Sequence, residues 1–149
     1  MAPSVRANVL IVDPQPLVAR GLASLLRDEV GVNAFMSSSR KEVLAAEIAD
    51  YHPEVVVLGV GASMDAALGL ARVVLESDEG SRLVVLLDPQ SDLSAADFVR
   101  LGMSSVISRD ASLDEVVLAI RQVLAGQKAL DGQMASRLIA ELSVAVRRA

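Results

Sequence analysis

Three unbroken apolar runs set the frame of the chain: Val9-Leu10-Ile11-Val12, Val55-Val56-Val57-Leu58 and Leu83-Val84-Val85-Leu86-Leu87. Each is rich in β-branched residues and does not alternate with polar ones, the pattern of strands covered on both faces. Val32-Asn33-Ala34-Phe35-Met36 and Ser105-Val106-Ile107 are weaker strand candidates. Between these runs the apolar spacing becomes helical. Val18, Leu22, Leu25 and Leu26 share one helix face, and Val43, Leu44 and Ile48 share another, where Ser39 and Glu42 are placed as a capping box. A third helix is expected over Met64 to Leu75 and a fourth from about Ser94 to Leu101. A fifth opens with Ser112-x-x-Glu115, carries Leu113, Val116, Val117, Ile120 and Leu124, and stops at Gly126.

Strand and helix thus alternate five times, which predicts right-handed parallel crossovers and a three-layer α/β sandwich around a five-stranded parallel sheet. A sixth amphipathic helix follows from about Asp131, with Met134, Leu138, Leu142 and Val146 on one stripe and Arg147-Arg148 at its end. That stripe must pack on the domain or on a partner. The expected organisation is one domain over 1–126, then a linker and C-terminal helix over 127–149.

Composition narrows the function classes. A chain of 149 residues with 52% hydrophobic and 22% charged residues can bury one sizeable core. Aromatics amount to 2% (Phe35, Tyr51, Phe98), which leaves no stacking platform for single-stranded nucleic acid. A formal charge of −5 argues against a broad DNA-binding surface, and Arg147-Arg148 is too little to serve as one. With no cysteine and one histidine, thiol chemistry is excluded and a structural zinc site nearly so. No apolar run approaches the roughly 20 residues that span a bilayer, and the N-terminus lacks a signal-peptide core. A cytoplasmic protein without a membrane role is expected.

In open parallel sheets ligands bind beyond the carboxyl ends of the strands. The three strong strands end at Asp13, Gly59 and Asp88, and the fifth leads to Arg109. These residues should converge on one pocket. Other readings are weaker. Gly59-x-Gly61 after a strand invites a dinucleotide site, but Met64 stands at the third glycine position. His52 precedes Pro53 at the opposite end of the sheet and reads as a surface histidine. Asp13, Asp65 and Asp88 form a possible carboxylate cluster, but Arg109 nearby favours their ionised forms over general acid chemistry. No nucleophile, base and orienting group converge, so an enzyme is the weakest class, and no cofactor or metal is expected.

The residues carry a family resemblance. Val9-Leu10-Ile11-Val12-Asp13 with Pro16-Leu17-Val18 resembles the opening of a response-regulator receiver domain. Gly102-Met103-Ser104-Ser105-Val106-Ile107-Ser108-Arg109-Asp110-Ala111-Ser112 aligns without a gap to the GASGYLLKDAS stretch of the NarL/FixJ class. Gly126 followed by Ala129-Leu130-Asp131 resembles the segment leading from that receiver towards a C-terminal helix-turn-helix. The resemblance, over roughly residues 7 to 143, implies a flavodoxin-like fold. It also implies a degenerate, pseudo-receiver site. The phospho-acceptor position is Gly59, and the second acidic residue of the magnesium pair is Pro14. The phosphoryl-sensing hydroxyl is replaced by Asp88, the lysine that pairs with the phosphoryl group by Arg109 and the switch aromatic by Val106. The implied function is a phosphorylation-independent regulatory and dimerisation domain of two-component type, pairing through helix faces and reaching DNA only through a domain absent from this chain. An Asp88–Arg109 pair, with Asp13, would lock the pocket in one state. Two alternatives stay open: a small-molecule sensor using Gly61, Ser63, Asp88 and Arg109, and a stand-alone protein-interaction adaptor.

Overall fold

A computed structural model of the chain describes residues 6–29, 31–77, 80–88, 95–100, 105–130 and 132–148. The elements are β1 (Ala7–Val12), α1 (Pro16–Arg27), β2 (Val32–Met36), α2 (Lys41–Tyr51), β3 (Val55–Gly59), α3 (Met64–Leu75), β4 (Arg82–Leu87), α4 (Ala95–Arg100), β5 (Val106–Ser108), α5 (Leu113–Leu124) and α6 (Gly132–Arg148). The five strands form one parallel sheet in the order β2-β1-β3-β4-β5. Ser94 and Leu101, the expected ends of the fourth helix, and Asp131, the expected start of the sixth, lie outside the described residues.

Contacts group the chain into two compact units, residues 1–83 and 84–149. In the first unit β1 lies between β2 and β3, with Leu10 opposite Phe35 on one side and Val56 on the other. The apolar runs are buried as their composition demands: Val9, Leu10, Ile11, Val12, Val55, Val56, Val57 and Leu58 are all at most 1% exposed. Helix α1 packs on β1 and β2, while α2 and α3 pack on each other and on β1 and β3. Phe35 and Tyr51 stack with centroids 4.5 Å apart. His52 is exposed, as expected, and ends α2 in a left-handed conformation, its N–H donating to the Ile48 carbonyl 2.9 Å away.

The expected Ser39–Glu42 capping box does not form. Helix α2 starts at Lys41 with Arg40 as its N-cap and no side-chain cap bond. Ser39 has φ 61° and turns its hydroxyl towards the end of β1 instead.

In the second unit β4 pairs with β5, Leu87 opposite Ser108. The capping box predicted for α5 is present: the Ser112 hydroxyl accepts the Glu115 N–H at 3.2 Å, and the Glu115 carboxylate accepts the Ser112 N–H. Val116, Val117, Ile120 and Val123 are buried, while Leu118 is 56% exposed. Gly126, at φ 82°, breaks the chain direction after α5 as the sequence requires. The segment that follows closes on β5. Leu130 bridges to Val106, and the buried Ala129 N–H donates to the Ser105 hydroxyl at 3.0 Å. Helix α6 packs on α4 and β5. Its buried line differs from the expected stripe: Met134 is fully buried and Leu138 half-buried, but Leu142 is 50% exposed and the partly buried Glu141 takes that place.

Candidate functional site at the carboxyl ends of the strands

In the first unit the site begins with Asp13, which follows β1 and is 3% exposed. An acidic side chain this buried needs polar partners. Its Oδ1 accepts the Gln15 N–H at 2.9 Å, which bends the chain into α1. The Ser39 hydroxyl donates to the Asp13 carbonyl at 2.7 Å, and the same oxygen lies 3.2 Å from the Asp13 N–H. Ser39 is itself placed by a relay from α2. Its N–H donates to the Ser37 hydroxyl, which donates to Glu47 Oε1 at 2.7 Å, and Glu47 Oε2 accepts the Ser38 N–H. The end of β1 is therefore held by three consecutive serines and one glutamate.

Gly59 is the last residue of β3, one step beyond the Val12–Leu58 pair. It brings no side chain to the strand end. Pro14 is exposed and lies over Gly61: a methyl group on Gly61 would come 2.9 Å from Pro14 Cγ. Ser63 is the N-cap of α3, its hydroxyl accepting the Ala66 N–H at 3.1 Å. Asp65 is exposed in the first turn of that helix.

In the second unit Asp88 and Arg109 occupy adjacent strand ends. They follow the paired residues Leu87 and Ser108, and the Arg109 N–H donates to the Leu87 carbonyl at 3.0 Å. Asp88 is exposed and Arg109 half-buried. Both engage in polar or charged interactions. Val106 is fully buried between β4 and the Leu130 bridge. The Ser108 hydroxyl accepts the Asp110 N–H and turns the chain towards α5. The Asp88 carbonyl accepts from Arg137 Nη1 of α6 at 2.9 Å.

The chain matches no protein-family profile. It is 29% identical over 131 residues to the response regulator GacA of Pseudomonas aeruginosa, covering 88% of this chain and 61% of that protein. It is 27% identical over 141 residues to the DNA-binding transcriptional activator DevR/DosR of Mycobacterium tuberculosis, covering 95% and 65%. Among solved structures, a two-component response regulator of the LuxR family from Aurantimonas superposes with a TM-score of 0.78 at 19% identity, over 93% of this chain and 99% of that one. The isolated REC domain of RcsB from Salmonella enterica, with the phosphomimetic BeF3−, superposes with a TM-score of 0.74 at 16% identity, over 89% and 99%. The chain has the fold of a response-regulator receiver domain. It spans about three-fifths of the length of the first of these relatives.

Receivers of the resembled class hold a magnesium ion at this end of the sheet, and the residues here do not fit one. A hard dication takes several oxygen ligands at near-octahedral geometry. Pro14 and Gly59 offer no side-chain oxygen, and Asp13 already accepts from Gln15. Among the described residues no group of three or more Asp, Glu, His or Cys side chains is placed to hold a metal. Among them, too, no helix is long and apolar enough to cross a membrane.

Two sets of residues beside the strand-end site carry little or no positional signal in the sequence. Ser37 and Glu47 position Ser39, but their link is tertiary and gives no periodic signal. Arg137 and Glu141 have the i, i+4 spacing of a helix pair, a visible signal, yet their further targets are the backbone just after β4 and in the first turn of α4.

Proposed function

We propose that this receiver is a phosphorylation-independent regulatory and dimerisation domain of a transcriptional regulator, reaching DNA through a further domain. Gly59 carries the reading. Receivers form an acyl phosphate on a carboxylate at the end of the third strand, and glycine has no atom to accept the phosphoryl group. Asp13 is no substitute, since it is buried and committed to the Gln15 N–H without a metal-binding companion. The site is instead supplied with permanent charge. Asp88 brings a fixed carboxylate to the strand end beside that of Arg109, where an ordinary receiver has an uncharged hydroxyl and gains negative charge on phosphorylation. In this reading they set one conformational state without input from a kinase.

Self-association is supported by large apolar side chains on helix surfaces: Leu17 is 82% exposed and Leu25 51% exposed on α1, and Leu118 is exposed on α5. DNA as the eventual target is supported by the relatives, one of them named a DNA-binding transcriptional activator and another, RcsB, solved in a DNA complex.

Light scattering over a wide concentration range, with and without acetyl phosphate and Mg²⁺, tests both halves of the reading. The expected result is a dimer whose dissociation constant is the same in both conditions. A monomer throughout overturns the dimerisation half, and a phosphodonor-dependent change in mass overturns independence. Stabilisation by a small organic anion, lost in Arg109→Gln, would favour the ligand-sensing reading instead.

A further inference from the structure

Helix α6 makes more than an apolar contact with the second unit. Met134 is fully buried and seats the first turn. One turn further, Arg137 and Glu141 form a partly buried ion pair, Nε to Oε1 at 3.3 Å, with side chains 15% and 24% exposed. Each partner also holds a backbone group outside the helix. Arg137 Nη1 donates to the Asp88 carbonyl, the residue that follows β4. Glu141 Oε2 accepts the Ala96 N–H at 2.9 Å, in the first turn of α4. A single ion pair on α6 therefore grips the end of β4 and the start of α4 together.

We propose that the Arg137–Glu141 pair is an intramolecular latch that makes the seating of α6 depend on the spacing between Asp88 and Ala96. The geometry gives the device its direction. A guanidinium fork and a carboxylate joined to each other have fixed reach. If the end of β4 and the start of α4 move apart, one of the two backbone bonds must break, and the pair loses a tether. Helix α6 then lifts away, uncovering Met134 and the α4 and β5 surfaces beneath. A change at the strand ends is thereby converted into release of a helix, with α6 as the receiver's output element. The latch depends on neither the phosphorylation state nor the dimer, so its test is separate from theirs.

Hydrogen exchange followed by mass spectrometry on the full chain tests the latch. Arg137→Gln removes the ion pair and weakens the Asp88 tether, while Glu141→Gln keeps the shape and removes the charge. Both should speed exchange of the α6 amides by roughly tenfold to a hundredfold, the usual loss for hydrogen bonds to charged groups, and leave β1 and β3 unchanged. Asp88→Gly, which keeps the carbonyl but relaxes its backbone, should speed α6 in the same sense by several-fold. Ser143→Ala, on the exposed side of α6, should change nothing. Should Arg137→Gln fail to fold, Arg137→Lys keeps the cation without the fork and is read in the same way. Unchanged α6 exchange in the two latch variants overturns the proposal. So does an increase shared equally by β1 and β3, because α6 would then open only with the whole protein.

Discussion

The closure of Pro14 over Gly61 gives a prediction whose outcome changes with background. Gly61 does not have a positive φ, so alanine is permitted by the backbone there. The new methyl would stand 2.9 Å from Pro14 Cγ and 3.6 Å from Pro14 Cβ. Carbon atoms prefer about 3.5–4.0 Å, so the Cγ contact is too close by at least about half an ångström. A proline ring has no free side-chain torsion, so the contact is relieved only by repuckering the ring or shifting its backbone. Overpacking costs about 1–3 kcal/mol, and the exposure of Pro14 puts this case at the low end. Against that, replacing glycine by alanine stabilises by about 0.4–1 kcal/mol through the unfolded chain. Gly61→Ala should therefore be neutral or destabilise the receiver by up to about 0.6 kcal/mol. In a Pro14→Ala background the Cγ is gone and the remaining Cβ lies at ordinary contact distance. There the same substitution should stabilise by about 0.4–1 kcal/mol. The two backgrounds should differ by at least about 1 kcal/mol, a coupling typical of touching residues. Urea unfolding of the four proteins measures it directly, and about 1 kcal/mol corresponds to about 2–4 °C in Tm for a domain of this size. Equal effects of Gly61→Ala in both backgrounds would refute the contact and with it the closed form of this loop.

Three further substitutions probe the elements that carry the site. Ser112→Ala removes the α5 capping box and should cost about 0.5–2 kcal/mol in chemical denaturation. Ser105→Ala leaves the buried Ala129 N–H without its acceptor, and a loss of about 1–3 kcal/mol is expected, with faster exchange of the Ala129 amide as the local signature. Met134→Ala empties a fully buried position under α6 and should cost about 2 kcal/mol or more. A neutral Met134→Ala in thermal melts would mean that α6 does not seat on the domain in solution.

The fold was legible because its strands are unbroken runs of Val, Leu and Ile, which need cover on both faces and so declare a parallel sheet. Where the boundaries moved, a polar side chain had found a partner, distant or local. Strand β1 begins at Ala7, before the apolar run, because Asn8 is satisfied by Glu54 and by the Tyr51 carbonyl. Strand β5 runs on to Ser108, whose hydroxyl takes the Asp110 N–H and leaves its backbone to the ladder. The same cause undid the expected box at α2. Ser39 has the right spacing to Glu42, but its hydroxyl is taken by Asp13, 26 residues away in sequence. Helix α6 was visible as amphipathic, yet its inward line passes through Glu141, because the groups it meets are a backbone N–H and an arginine. Residues of the strand-end site could be named from position alone, since a parallel sheet sends its ligand end to the residues after each strand. The supports of that site, Ser37, Glu47 and Arg137, carry no such positional rule.

The proposed function requires that the domain takes up no phosphoryl group. Intact-mass spectrometry after prolonged incubation with acetyl phosphate and Mg²⁺, at neutral pH and with rapid acid quenching, tests it most directly. The unmodified mass is expected at every time point. A species heavier by one phosphoryl group, mapped to Asp13, Asp88 or any other carboxylate, would contradict it.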